Sequence, residues 1–137
     1  MPFVLDASIV AYWALDDEDD RVADLTFERI RTDEARVPVL WWFEVRNILI
    51  VNEHRSRLTK TATAAFLREL AQMRVLVDRS PDETDILSLA SRHRLSVYGA
   101  SYLELARRGG ISLATLDNEL RAGALAAGVA LLGENDG

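Results

Sequence analysis

Cysteine is absent from this chain of 137 residues, and histidine occurs only twice, at His54 and His93. The absence of cysteine excludes disulfides and thiolate metal sites. Two histidines are also too few for the zinc sites that are built mainly from imidazoles. A metal bound by this chain would therefore need oxygen ligands, and oxygen ligands favour Mg²⁺ or Mn²⁺.

Long apolar runs and a basic surface are lacking as well. No stretch approaches the roughly 20 apolar residues that a membrane-spanning helix needs, and the N-terminus has no signal-peptide pattern. We therefore predict a cytoplasmic location and no membrane partner. The net charge of −6 argues against a plain DNA-binding module, because such modules usually carry a basic footprint. It leaves room for an enzyme that holds nucleic acid through local arginines and a metal, and it suits a basic protein partner.

Short apolar segments alternate with helical patterns along the chain. This alternation predicts an α/β fold in which helices cover both faces of a mostly parallel sheet. We predict a single domain over residues 1–132 and a loose tail at 133–137. The acidic run at 16–20 is expected to be a solvated loop before a helix, since a helix N-terminus favours negative charge. The strand candidates are residues 3–5, 37–39, 75–77 and 111–115, with a last edge strand at 129–132.

Three acidic residues follow apolar segments in comparable places. Asp6 follows the first strand candidate, Glu44 lies just beyond the second, and Asp117 follows the strand candidate near residue 113. Because the ends of parallel strands lie along one edge of a sheet, the three carboxylates are expected to converge. Converging carboxylates repel one another unless a cation lies among them. The pattern therefore predicts a divalent metal site.

Each of these residues also has a simpler explanation. Asp6 and Asp117 are equally compatible with capping the helix that follows, and Glu44 with a first-turn acid. The hydroxyls of Ser8 and Thr115 stand beside Asp6 and Asp117, where helix capping and turn chemistry also place hydroxyls. The occurrence of all three acids at strand ends favours the metal site.

The same residues resemble the PIN domain, and in particular the VapC ribonuclease toxins of bacterial type II toxin–antitoxin systems. The likeness covers nearly the whole chain in the right order, although no single motif is decisive. It implies a three-layer α/β/α PIN-like domain, which matches the α/β fold predicted from the alternating pattern. The segments that carry the likeness are residues 4–8, 38–47, 95–98, 100–106 and 113–117.

The resemblance also implies a function. It implies an endoribonuclease that depends on Mg²⁺ or Mn²⁺, acts on an RNA such as tRNA or rRNA, and forms a homodimer. Its partner would be a cognate VapB-type antitoxin whose C-terminal segment crosses and blocks the acidic site. Asp6, Glu44 and Asp117 become catalytic metal ligands in this interpretation. Ser8 and Thr115 become hydroxyl groups that orient the carboxylates or a water. Asn47, three residues after Glu44 on the same helix face, is expected to support the site by a hydrogen bond to it or to bind an adjoining loop.

The sequence departs from the family pattern at Gly99. The family usually has Tyr-Asp-Ala before the helix that carries Tyr-Leu-x-Leu-Ala, and this chain has glycine between Tyr98 and Ala100. The resemblance therefore implies that an acidic metal ligand is missing, at a cost on the order of 10²-fold or more in rate. A backbone need for glycine near a helix N-cap is the alternative explanation. The chain is then either a naturally attenuated member, or it carries an Asp→Gly change that relieves toxicity.

Two other functions compete with a weakened nuclease. One is a non-catalytic module of the same fold that only captures an antitoxin or RNA. The other is phosphoryl transfer through Asp6 as the nucleophile, as in haloacid-dehalogenase-like phosphatases. That family needs a second aspartate two residues after the first, and Ser8 occupies this position.

Overall fold

Four parallel strands form the central sheet of the computed structural model, which describes residues 1–15 and 19–134. All pairings are parallel, and Phe3 in the first strand is paired with Ala35 on one side and Ser112 on the other. The predicted parallel sheet is therefore confirmed. The strands are β1 (Phe3–Leu5), β2 (Ala35–Pro38), β3 (Val75–Asp78) and β4 (Ser112–Ala114), in the spatial order β3-β2-β1-β4.

Helices cover this sheet in a three-layer α/β/α arrangement, as predicted. The helix α6 crosses β1, β2 and β4 and is flanked by α5 and α7, whereas α1 packs on α2 and α3. Within the described residues, no helix is both long and apolar enough to cross a bilayer. The helices are α1 (Ala7–Leu15), α2 (Arg21–Arg29), α3 (Leu40–His54), α4 (Lys60–Leu70), α5 (Glu83–His93), α6 (Val97–Gly109) and α7 (Asn118–Ala126).

The central strand β1 brings the chain to the point where ligands of open α/β sheets bind. Its three residues are completely buried, as their uninterrupted apolar sequence predicts. After β1 the chain builds β2 and β3 on one side, and it returns to place β4 on the other side. The carboxyl ends of β1 and β4 therefore form a topological switch point, where such sheets open a crevice. Asp6 follows β1 at this point.

The predicted last strand at 129–132 is wrong. The segment forms only an isolated parallel bridge, in which Leu131 pairs with Leu113 of β4. The amide of Leu113 donates to the carbonyl of Ala130, and the amide of Leu132 donates to the carbonyl of Leu113. The glycines that flank the segment, Gly128 and Gly133, both have positive φ. The chain therefore turns on each side of the bridge and leaves no room for a longer ladder.

The acidic run and the C-terminal tail lie partly outside the described residues, at 16–18 and 135–137. Asp20, at the end of the acidic run, caps α2 by accepting hydrogen bonds from the amides of Val22 and Ala23. At the start of the predicted tail, the carbonyl of Gly133 accepts a hydrogen bond from Arg21. Glu134 forms an ion pair with Arg121 at 2.5 Å. These contacts hold the first two residues of the tail against α2 and α7.

Candidate metal centre

Asp6 is a buried carboxylate that two hydroxyl groups hold in place. Only 7% of its surface is exposed. Its Oδ2 atom accepts hydrogen bonds from Ser8 Oγ at 2.7 Å and from Thr115 Oγ1 at 2.6 Å. Each hydroxyl has a single proton, so the remaining 3.4 Å contact between Ser8 and Thr115 is not needed as a hydrogen bond. Ser8 and Thr115 thus both bind the same oxygen atom of Asp6.

The same two hydroxyls bind the segment that follows β4. Ser8 Oγ accepts a hydrogen bond from the amide of Leu116 at 2.9 Å, and Thr115 Oγ1 accepts one from the amide of Asp117 at 3.0 Å. Each hydroxyl therefore donates to Asp6 and accepts from the backbone that leads to Asp117. This arrangement joins the ends of β1 and β4 through hydrogen bonds.

Asp117 caps α7, as the simpler explanation of this residue had it. Its Oδ1 atom accepts hydrogen bonds from the amides of Glu119 at 2.9 Å and Leu120 at 3.1 Å. The side chain is exposed, and its negative charge raises the pKa of the Asp6 carboxyl. Asp117 is therefore both a helix cap and a charge close to Asp6, so capping does not exclude a role in a metal site.

Glu44 reaches the site from α3, and a tyrosine holds its carboxylate. It lies in the second turn of the helix, so the alternative of a first-turn acid is wrong. Its Oε1 atom accepts a hydrogen bond from the hydroxyl of Tyr102 on α6. Asn47, predicted to support the site, is exposed one turn further along α3 and has no hydrogen bond to another described side chain.

Tyr102 is the site residue that the sequence did not indicate. It is 1% exposed and occupies a position in the apolar face of α6, which accounts for its interpretation as a core residue. A buried tyrosine usually finds a partner for its hydroxyl, and that requirement is the only signal in the sequence that points to a polar contact. The structure supplies the partner as Glu44.

The carboxylates of the site carry like charges, and Asp6 and Glu44 are at least partly buried. Burial raises the pKa of the Asp6 carboxyl, although hydrogen bonds from Thr115 and Ser8 oppose this effect. Burial likewise raises the pKa of Glu44, the hydrogen bond from Tyr102 lowers it, and the charge of Asp6 raises it. Burial and the nearby carboxylates raise the pKa of the Tyr102 phenol, which therefore remains a hydrogen-bond donor. A cation would relieve this repulsion.

Gly99 lies in the first turn of α6, one turn before Tyr102. Its backbone is helical, and its amide donates to the capping hydroxyl of Ser96 at 3.0 Å. A Cβ atom at this position would meet Ser96 Oγ at 3.6 Å and Leu95 Cβ at 3.9 Å, which are ordinary contact distances. The backbone therefore does not require glycine here. Because residues three apart share a helix face, a side chain at 99 would lie on the side that carries Tyr102.

Glu104, the acidic residue of α6, is bound by partners outside the candidate metal centre. It is buried and accepts a hydrogen bond from the amide of Asp82 at 2.7 Å. Arg108, one turn later on α6, binds both its oxygens at 3.2 and 3.1 Å. Glu104 is thus neutralised within the fold, by a partner that the acids of the site do not have.

The donor chemistry of the site fits a hard divalent cation, but the number of close ligands is small. All the candidate ligands are carboxylates, which Mg²⁺ and Mn²⁺ prefer. In the part of the chain that the structure describes, no three acidic or histidine side chains lie close enough together to hold a metal ion. An ion at this site would therefore need water ligands.

Sequence comparison relates the chain to known proteins over nearly its whole length. The family model of the PIN domain matches residues 3–125. The chain is also 31% identical to Ribonuclease VapC3 from Pyrobaculum aerophilum over 123 residues, which cover 88% of this chain and 92% of that protein. The relationship spans all four strands and the residues of the candidate metal centre.

Solved structures share the fold. PAE2754 from Pyrobaculum aerophilum is similar with a TM-score of 0.69 at 24% identity, over 90% of this chain and 87% of that one. FitAcB from Neisseria gonorrhoeae is similar with a TM-score of 0.59 at 17% identity, over 96% of both chains. VapC20 from Mycobacterium tuberculosis, a toxin that cleaves the sarcin–ricin loop, has a TM-score of 0.56 at 16% identity, over 88% of this chain and 93% of its own.

Proposed function

The chain belongs to the PIN domain family, and we propose that it is a metal-dependent endoribonuclease of the VapC toxin type whose activity Gly99 weakens or abolishes. The observation that carries the proposal is that Asp6, at the carboxyl end of β1, lies close to the charges of Glu44 on α3 and Asp117 at the start of α7. Burial raises the pKa values of Asp6 and Glu44, and the charge of Asp117 adds to the increase at Asp6, as the charge of Asp6 does at Glu44. Carboxyl groups perturbed in this way cluster at functional sites.

Asp6, Glu44 and Asp117 would hold Mg²⁺ or Mn²⁺ partly through bridging water molecules, because no three acids of the described residues lie close enough to bind one ion directly. A bound ion supplies positive charge that stabilises a phosphodiester under attack by water. Ser8 and Thr115 keep the Asp6 carboxylate in one orientation by binding its Oδ2 atom. Asp117 is held by the amides of α7 in the same way.

The experiment that tests this function is the substitution Gly99→Asp. The new carboxylate enters a helical position with room for a side chain, so the fold should be kept. We expect cleavage of RNA in the presence of Mg²⁺ or Mn²⁺ to rise on the order of 10²-fold. Gly99→Asn is the matched control, because it adds a side chain of the same size without the charge.

Two results decide the test. In the Gly99→Asp background, Asp6→Asn should abolish the restored cleavage, since it removes the most buried of the acidic ligands. A folded Gly99→Asp variant that cleaves RNA no faster than the unsubstituted chain would count against the assignment of the site.

A groove between α1, α2 and α4 has side chains that suit the binding of an antitoxin partner. The groove has a volume of about 930 Å³ and an aromatic floor that includes Trp13, Phe27 and Phe66. Four acidic side chains line it, with Arg21 as the one basic residue among its described lining. An amphipathic basic segment would suit this lining, because it could pack apolar side chains on the aromatic rings and pair its positive charges with the acidic residues. We therefore propose that a VapB-type antitoxin docks here through such a segment.

The second candidate function is a module of the same fold without catalysis. Gly99 is the observation that favours it, because the family's acidic ligand is missing there. Antitoxin capture or RNA binding would then be the retained activity. A Gly99→Asp variant that binds the antitoxin and RNA but cleaves nothing would favour this function over the nuclease.

A further inference from the structure

We propose that Tyr102 is a positioning residue, whose phenol holds one carboxylate oxygen of Glu44 so that the other oxygen is presented to a divalent cation. The inference rests on the proposed function, because it takes Glu44 as a ligand of the metal centre. It adds a residue that neither the acidic pattern nor the family resemblance singles out as functional.

The contact is suited to positioning because its two partners differ in mobility. Tyr102 is 1% exposed and lies within the fully buried stretch of α6, so its ring is fixed by packing. Glu44 is only partly buried, and its side chain has three rotatable bonds. The phenol donates to Glu44 Oε1 and thereby restricts the more flexible of the two side chains. A carboxylate fixed in this way loses less freedom when it binds an ion.

The other acids of the site are anchored by the same principle. The two side-chain hydroxyls that bind Asp6 both donate to its Oδ2 atom. The two backbone amides that bind Asp117 both donate to its Oδ1 atom. Each of the three carboxylates thus uses one oxygen for these contacts, and Glu44 depends on Tyr102 alone for its anchor among the described residues. Tyr102 therefore does for Glu44 what two hydroxyls do for Asp6.

This division of oxygens has a consequence for the choice of ion. Mg²⁺ and Mn²⁺ take six ligands and bind carboxylates readily through single oxygens, with water completing the shell. Ca²⁺ takes up to eight oxygens and often uses both oxygens of one carboxylate. Because Tyr102 engages Oε1 of Glu44, it disfavours binding through both oxygens. Tyr102 should therefore favour Mn²⁺ over Ca²⁺.

The test is the substitution Tyr102→Phe, made in the unsubstituted chain and in Gly99→Asp. The readout is the dissociation constant for Mn²⁺ and for Ca²⁺ by titration calorimetry, without RNA. We expect Mn²⁺ affinity to fall about 10-fold, the usual effect of removing a group that orients a metal ligand. The ratio of Mn²⁺ to Ca²⁺ affinity should fall as well, a change that a purely structural role would not produce. Tyr98→Phe is the matched control, because the same hydroxyl is removed from an exposed tyrosine on the same helix.

The outcomes separate this inference from the proposed function. Unchanged Mn²⁺ affinity and an unchanged ion ratio in a folded Tyr102→Phe variant would overturn the role of Tyr102. The expected binding changes without RNA cleavage by Gly99→Asp would support Tyr102 and overturn the nuclease. Absence of Mn²⁺ binding to every variant would overturn both.

A second measurement covers the case in which Tyr102→Phe does not fold. In the unsubstituted chain, the hydroxyl proton of Tyr102 is buried and hydrogen-bonded to a carboxylate, so it should exchange slowly enough for proton NMR. The inference requires this signal to persist when Mg²⁺ is added to saturation. Its loss on Mg²⁺ addition would mean that Glu44 gives up the tyrosine to bind the ion, and the inference would be overturned.

Discussion

Asp6 carries its charge at a cost to the fold, because its carboxyl group is buried and faces another negative charge. Burial raises its pKa above the ordinary value of 3.8, and the charge of Asp117 adds to the increase. A carboxyl whose pKa is raised on folding binds protons more tightly in the folded state. Its contribution to stability therefore declines as the pH rises from about 4 through its raised pKa.

Because the pKa of Asp6 is raised on folding, we predict that Asp6→Asn stabilises the protein at neutral pH. The amide oxygen can still accept the hydrogen bonds of Ser8 and Thr115, while the buried charge disappears. We expect the free energy of unfolding at pH 7 to rise by about 1 kcal/mol. The gain should shrink as the pH falls towards 4, where Asp6 itself becomes neutral. Urea denaturation at several pH values measures both effects, and a loss of stability at pH 7 would contradict the burial argument.

The proximity of Asp6 to Glu44 and Asp117 could be predicted from the sequence, but the rule that acids at strand ends converge on a site is not sufficient. Asp78 also ends a strand, yet its carboxylate is bound by Arg108 at 3.1 and 2.7 Å, and this contact lowers its pKa. Whether a strand-end acid is neutralised depends on a residue 30 positions away. Sequence position alone does not contain that information, and the contact between Tyr102 and Glu44 was unpredictable for the same reason.

At the scale of elements, Arg108 joins α6 to β3 and to the start of α5. Its guanidinium binds Glu104 and Asp78, and Glu104 in turn accepts the amide of Asp82, the capping residue of α5. A buried carboxylate that loses its cation keeps its desolvation cost without compensation. The network therefore fixes the position of the helix that carries Tyr102.

Removal of this arginine should destabilise the fold. We expect Arg108→Met to lower the free energy of unfolding by about 2 kcal/mol, less than for a fully buried pair because Arg108 is partly exposed. Since Arg108 lowers the pKa of Asp78, this stabilisation is present at neutral pH and declines as the pH falls below about 4. Thermal unfolding measures the change, and Arg107→Met, at the exposed neighbouring position, is the control. Equal stability of the two variants at pH 7 would argue against the network.

Sequence patterns identify a helix or strand best when its apolar residues recur at regular spacing or when a capping residue marks its end. Helices such as α2 and α5 have a side-chain cap at the first turn and acidic residues after it, which are features that a sequence displays. The helix α1 was not delimited, because its sequence from Ala7 to Leu15 is apolar with almost no polar residues to mark a face. The segment at 129–132 is apolar enough for a strand, but positive φ values at the flanking glycines limit it to one bridge. Backbone turns of this kind are set by tertiary contacts.

At the scale of the whole molecule, α3 presents an apolar ridge made of Val39, Trp42, Phe43 and Ile50. Val39 lies three and four residues before Trp42 and Phe43, and Ile50 lies seven residues after Phe43, so the four share one broad face of the helix. Trp42 is 50% exposed and Phe43 is 65% exposed, and Arg46 stacks over the Trp42 ring at 4.3 Å. Exposed aromatic side chains beside an arginine are typical of protein interfaces. We propose this α3 ridge as the interface of the expected homodimer.

A charge placed on the α3 ridge should separate the protomers. We expect Phe43→Glu to weaken dimerisation at least about 30-fold, since an interfacial aromatic commonly contributes about 2 kcal/mol or more. Sedimentation velocity over a range of concentrations measures the equilibrium. Leu87→Glu adds the same charge at an exposed leucine on α5 and serves as the control. A Phe43→Glu variant that remains dimeric, or an unsubstituted chain that is monomeric, would refute the interface.

The tolerance of α6 for glycine at position 99 has a consequence for how such a chain evolves. A substitution at Asp117 also removes the cap of α7, and a residue without a side-chain oxygen at position 6 leaves the hydroxyls of Ser8 and Thr115 without their acceptor. The side chain at position 99 has no comparable structural role, since the helical backbone there accepts a residue with or without a side chain. In a cell that the nuclease harms, selection for survivors would therefore favour changes at 99, which silence the enzyme and spare the protein. A single reversal at position 99 would then restore the proposed nuclease in a protein that had kept its fold.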